Sequence, residues 1–120
     1  MIIKIPLYAG GLGKTNGVEK APDKILEKLK ELNCNEDGFK APLNELEIQI
    51  DNSNIEASQK TIEEEMKKAF TNYPCPIIIG GDHSITYATF KAFNQENCGL
   101  LIFDAHPDLM EPVDRKIPTH

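Results

Sequence analysis

The chain has 120 residues, 40% hydrophobic and 27% charged, which is the scale of one globular domain with a modest core. Its 13 basic and 19 acidic residues leave a formal charge of −6, which argues against nucleic acid as a partner; Lys67-Lys68 is only a doublet. No run approaches the ~18 apolar residues of a membrane span. The three cysteines form no Cys-x-x-Cys pair, and the short apolar start has no basic leader, so a cytoplasmic domain with reduced thiols is expected.

Ile2 to Tyr8 predicts a first strand, weakened in its second half by Pro6. A glycine-rich loop follows from Gly10 to Gly17. Pro22 suits the first turn of a helix, where a missing N–H is no loss. Ile25, Leu26, Leu29 and Leu32 then form an apolar stripe at helical spacing, closed by Asn35 to Gly38. Leu46-Glu47-Ile48-Gln49-Ile50 alternates, predicting a strand with one wet face at a sheet edge. Ser53-Asn54-Ile55-Glu56 is a capping-box pattern opening a helix, with Ile62, Met66, Ala69 and Phe70 as its buried face and Pro74 beyond its end.

Two further segments differ in kind. Pro76-Ile77-Ile78-Ile79 and Leu100-Leu101-Ile102-Phe103 are short continuous apolar runs, the pattern of strands covered on both faces. Between them Ile85, Ala88, Ala92 and Phe93 predict a helix. Alternating strands and helices of this kind imply an α/β fold with a parallel sheet.

In such sheets ligands bind beyond the carboxyl ends of the strands. Gly80-Gly81-Asp82-His83-Ser84 follows the first buried run and Asp104-Ala105-His106-Pro107-Asp108 the second. Alternate side chains on an extended chain share a face at intervals of ~6.6 Å. An Asp-x-His-x-Asp row can therefore converge on two cations ~3.5–4 Å apart, with one carboxylate bridging. Mixed imidazole and carboxylate donors suit Mn, Fe, Co, Ni or Zn, and an oxygen-rich set leans toward Mn. Singly, each residue has a plainer role: Asp82 and Ser84 as helix caps, His83 as a satisfied buried histidine, Asp104 or Asp108 as turn residues beside Pro107. Two histidines and two aspartates at successive strand ends are poorly explained as turn chemistry.

These two motifs, with the weaker Gly17-Val18-Glu19-Lys20-Ala21-Pro22, resemble the ureohydrolase family of arginase, agmatinase and formimidoylglutamase. The resemblance implies a three-layer αβα fold with a mostly parallel sheet. About four strands and three helices of it are expected here, residues 1–120 forming the N-terminal part of a single domain. It implies His83 and Asp108 as ligands of one manganese ion, His106 as a ligand of the other, and Asp104 as a bridge. His120 matches a histidine proposed to shuttle protons, so Asp108 and His120 are the candidate catalytic residues. The family's second Asp-x-Asp motif, which completes both metal shells, has no counterpart here. The chain therefore reads as an excerpt, as a split subunit whose remaining ligands come from a second polypeptide, or as a decayed copy, and an oligomer is expected.

The implied reaction is metal-assisted hydrolysis of a guanidino or formimino group on a small amine or amino acid, releasing urea in the guanidino case. Two other readings compete with it. One is a non-catalytic or regulatory subunit that keeps a partial metal site. The other is nucleotide binding through Gly10-Gly11-Leu12-Gly13-Lys14-Thr15, which resembles a phosphate loop but is followed by an Asn16-Gly17 turn rather than a helix. A serine hydrolase built on Ser84 is rejected, because no Gly-x-Ser-x-Gly elbow surrounds it.

Overall fold

The structure is a computed structural model and describes residues 1–11, 14, 16–32, 34–40, 42–93 and 96–105. Three strands form a parallel sheet in the order β2-β1-β3: β1 (Ile2–Ile5), β2 (Glu45–Glu47) and β3 (Ile77–Gly80). Three helices accompany them, α1 (Ala21–Glu31), α2 (Ile55–Asn72) and α3 (Ile85–Phe93).

Period-2 alternation along β1 sorts these helices into layers. Ile3 and Ile5, with Leu7 beyond the strand, point to one face, where they pack with Ile48, Ile62, Met66, Ala69, Ala88 and Ala92. That face is covered by α2 and α3, whose Phe70 and Phe93 rings meet edge to face at 5.1 Å. The Lys4 ammonium reaches the other way, to Asp23 of α1 at 2.6 Å and to Glu47 of β2 at 2.8 Å. The result is α1, sheet, then α2 with α3: the three-layer αβα arrangement.

Local chemistry explains most boundaries. Pro6 brings no N–H to a ladder, and β1 stops at Ile5. Gly17 takes φ 102, a left-handed conformation open to glycine, and one turn of 3-10 helix at Val18–Lys20 then leads into α1. Two helix details differ from the expectation. The N-cap of α2 is Asn54, whose side chain accepts from the Ala57 N–H at 3.1 Å. Ser53 is not the cap, because its N–H and hydroxyl both donate to Asp51 Oδ1. In α1 only Leu26 of the predicted stripe is buried. Ile25 and Leu32 are exposed, and Leu29 and Leu32 line an open apolar groove with Phe39, Pro42 and Leu43.

The larger departures concern the two apolar runs. Ile77 of β3 is exposed and Ile78 and Ile79 are only half-buried, so this strand is not covered on both faces; it is an edge strand of the sheet described. Leu100–Phe103 is not a strand at all: it joins no ladder, with Leu101 78% and Phe103 92% exposed. An extended segment becomes a strand only when a neighbour takes its N–H and C=O groups, and none of the described residues does so here. The sheet therefore has three strands among the described residues, not about four. No helix among them is long and apolar enough to cross a membrane.

Candidate metal centre

The sheet topology locates a crevice. β1 leads through α1 on one face to β2, whereas β3 leads into α3 on the opposite face. The chain thus departs to opposite sides from adjacent parallel strands, and the space beyond their carboxyl ends is where such sheets hold ligands. The two loops bordering that space are Pro6–Gly11, after β1, and Gly81–Ser84, after β3.

They are bound tightly to each other. The Gly81 N–H donates to Ile5 O at 3.0 Å and the Asp82 N–H to Leu7 O at 2.8 Å, extending the ladder past both strands. Asp82, only 5% exposed, is the centre of this contact. Its Oδ2 accepts from the N–H groups of Gly10 at 2.8 Å and Gly11 at 3.2 Å; its Oδ1 accepts from the Ser84 N–H at 3.0 Å and the Ser84 hydroxyl at 2.5 Å. Four donors thus converge on one buried carboxylate. A Cβ on Gly81 would strike the Leu7 carbonyl and one on Gly10 the Ser84 side chain. Glycine at these two positions is a condition of the approach. Gln59 of α2 adds a bond from Nε2 to Ser84 O at 2.9 Å. On the far side of β1, Asn52 accepts from the Tyr8 N–H at 2.8 Å and donates to Pro6 O at 2.9 Å.

Against this frame stands His83. Its carbonyl accepts from the Thr86 N–H at 3.0 Å as α3 begins. His83 Nδ1 lies 3.4 Å from Asp104 Oδ2, with the side chains 32% and 30% exposed. The ends of the two apolar runs thus come together although the runs do not pair. His106, Asp108 and His120 fall outside the described residues, so the geometry of the site rests on His83 and Asp104; among the described residues no three His, Cys, Asp or Glu side chains gather.

The donor chemistry fits a cation. Ligand atoms each about 2.1 Å from one first-row ion stand roughly 3–3.5 Å apart, and an imidazole nitrogen and a carboxylate oxygen 3.4 Å apart, both reachable by solvent, meet that condition. Asp82 does not. Both of its oxygens are engaged by backbone and hydroxyl donors, which makes it an Asx-type cap of α3 and a clamp on the first loop.

The same clamp argues against the phosphate-loop reading. Such a loop offers its backbone N–H groups to an anion, whereas Gly10 and Gly11 spend theirs on the Asp82 carboxylate. The segment from Ala9 to Gly11 is a 3-10 turn, and the next helix of α type begins only at Ala21. The clamp is the functional feature that pattern reading missed. Gly10-Gly11 and Asp82 are each conspicuous in the sequence, but nothing in the chain between them, with Gly11 and Asp82 71 positions apart, announces that they meet. Asn52 and Gln59 gave no signal at all.

Comparison with known proteins agrees with this architecture. Over residues 1–120 the chain matches the model of the arginase family. It is 27% identical over 121 residues to an arginase of Bacillus subtilis, covering 90% of this chain and 40% of that protein. A formimidoylglutamase of Halalkalibacterium halodurans is 44% identical over 61 residues, 48% of this chain and 19% of that one. In three dimensions the crystal structure of formimidoylglutamase from Bacillus subtilis superposes with a TM-score of 0.80 at 30% identity, over 98% of this chain and 39% of its own. A putative agmatinase from Clostridium difficile, 22% identical with a TM-score of 0.76, shares the fold. The chain thus spans two fifths or less of the curated relatives it is compared with here. It belongs to the arginase family.

Proposed function

We propose that this chain supplies one part of a binuclear manganese centre in a ureohydrolase. His83, Asp104, His106 and Asp108 would hold the ions, and the remaining ligands would come from polypeptide outside these 120 residues. The observation that supports it most directly is the 3.4 Å approach of His83 Nδ1 to Asp104 Oδ2 at the crevice beyond β3, in a chain of this family.

When bound, two such ions activate water and polarise the carbon under attack. This chain's share is to hold them: neutral imidazoles of His83 and His106 and ionised carboxylates of Asp104 and Asp108 are the protonation states that ligation needs. The substrate class is a guanidino or formimino group on a small amine or amino acid. Water's oxygen adds to the amidine carbon and the C–N bond breaks. The departing nitrogen takes a proton, for which His120 is the candidate donor. With a guanidino substrate the products are urea and an amine.

Titration of the 120-residue chain with Mn²⁺ by calorimetry, and assay of urea release alone and with any co-purifying polypeptide, tests the reading. Weak manganese binding that is lost in His83→Ala and Asp104→Ala, with turnover only when a second polypeptide is present, is the expected result. Full turnover by the purified chain would overturn the claim that the site is shared, and absence of Mn²⁺ binding in every preparation would overturn the site itself.

A further inference from the structure

We propose that Asp82 is the positioning residue of this site: by gathering four donors from two loops it fixes the backbone on which His83 is mounted, and so sets the aim of the imidazole toward Asp104. The proposal rests on the reading of His83 as a ligand and assigns to its neighbour a role distinct from ligation.

The geometry carries it as follows. His83 lies between Asp82 and Ser84, and both are buried. Asp82 Oδ1 holds the Ser84 N–H and hydroxyl, so the peptide units on either side of His83 are closed into a turn around one carboxylate oxygen. Asp82 Oδ2 is spent on Gly10 and Gly11, which ties that turn to the loop after β1. Ser84 O is held in addition by Gln59 of α2. The His83 ring itself is a third exposed, so the position of its backbone matters for where it reaches. That backbone is held on both sides of His83 by the neighbouring carboxylate. A ligand mounted on a fixed backbone loses less conformational entropy on binding a cation, and its misplacement by an ångström costs affinity steeply.

Asn52 provides the control. It makes two bonds to the same loop after β1, at Pro6 and Tyr8, but none to the segment that bears His83. The experiment compares Asp82→Asn with Asn52→Ala in the metal-free 120-residue chain, reading the ¹H–¹³C signals of the His83 ring, assigned with His83→Gln. Asparagine keeps the size but puts an NH₂ where one pair of donors must be accepted. The expected result is a displaced or split His83 signal in Asp82→Asn and an unchanged one in Asn52→Ala, even where both lower the thermal midpoint. An unchanged His83 signal in Asp82→Asn overturns the proposal, as does an equal displacement in Asn52→Ala. Should Asp82→Asn fail to fold, Ser84→Ala removes one bond to Oδ1 and leaves the carboxylate in place; a smaller displacement of the same signal is expected, and none would overturn it. Mn²⁺ titration of the same proteins separates this from the site reading. If wild type binds, Asp82→Asn should bind about tenfold or more weakly and Asn52→Ala as wild type. If wild type does not bind, the metal site fails, while the ring signals still decide what aims His83.

Discussion

β1 and the Leu100–Phe103 run are both short and mostly apolar, yet they end in opposite conditions. Ile3 and Ile5 are completely buried between two parallel neighbours and a pair of helices, whereas Leu101 and Phe103 lie in solvent with no ladder partner. The difference lies in what surrounds them. A central strand has partners on both flanks and a layer on each face, and β1 has all of these within this chain. Among the described residues the 100–103 run joins no ladder, although Leu100 borders an apolar pocket with Phe70, Ile78 and Phe93 and Asp104 beyond it meets His83. An exposed apolar stretch of this kind, in a chain whose β3 is an edge strand among the described residues, is an aggregation hazard.

Substitutions can break that comparison or sharpen it. Ile5→Ala should be the most damaging, costing about 3 kcal/mol in urea-denaturation experiments, since the side chain is fully enclosed and the site cannot collapse around the gap. Asn54→Ala should cost about 1 kcal/mol through loss of the cap on α2, and Ser53→Ala clearly less; equal losses would return the cap to Ser53.

A smaller, pH-dependent effect belongs to Lys4 on the α1 face of β1. Its hydrogen bonds to Asp23 and Glu47 raise the ammonium's pKa above the ordinary 10.5, and its bond to Asp23 holds that carboxyl below the ordinary 3.8. The lysine's contribution is whole below pH 10.5 and fades as pH rises through its raised value. The aspartate's is whole above pH 3.8 and fades as pH falls through its lowered value. The stability difference between wild type and Lys4→Met should therefore be flat from pH 5 to 9, a roughly chosen window inside those limits, and shrink in stronger acid or base. A difference that persisted in strong acid would show that the aliphatic stem, and not the ion pair, matters. Smallest of all, Phe103→Ser should change stability by no more than about 0.5 kcal/mol while reducing self-association seen by light scattering. A loss comparable to that of Ile5→Ala would mean that the run is packed after all.

Much of this molecule could be read from local pattern. The 3.6-residue spacing of Ile62, Met66 and Ala69 and the proline at the start of α1 each encode their own conformation, because propensity and periodicity act over a few residues. The Leu46–Ile50 alternation predicts a strand, but it forms at Glu45–Glu47, with Leu46 exposed and Ile48 buried beyond its end. The two strand-end motifs likewise identified the family and named His83 and Asp104 as chemically apt. What the sequence did not contain was any account of which segments touch. That Asp82 spends its carboxylate on Gly10 and Gly11, that Asn52 holds Tyr8, and that Lys4 finds Asp23 depend on parallel strands bringing distant loops to one end of the sheet. The same cause works in reverse at Leu100–Phe103. Apolar character is written in the residues, but burial requires a neighbour, and only the tertiary structure decides whether one is there.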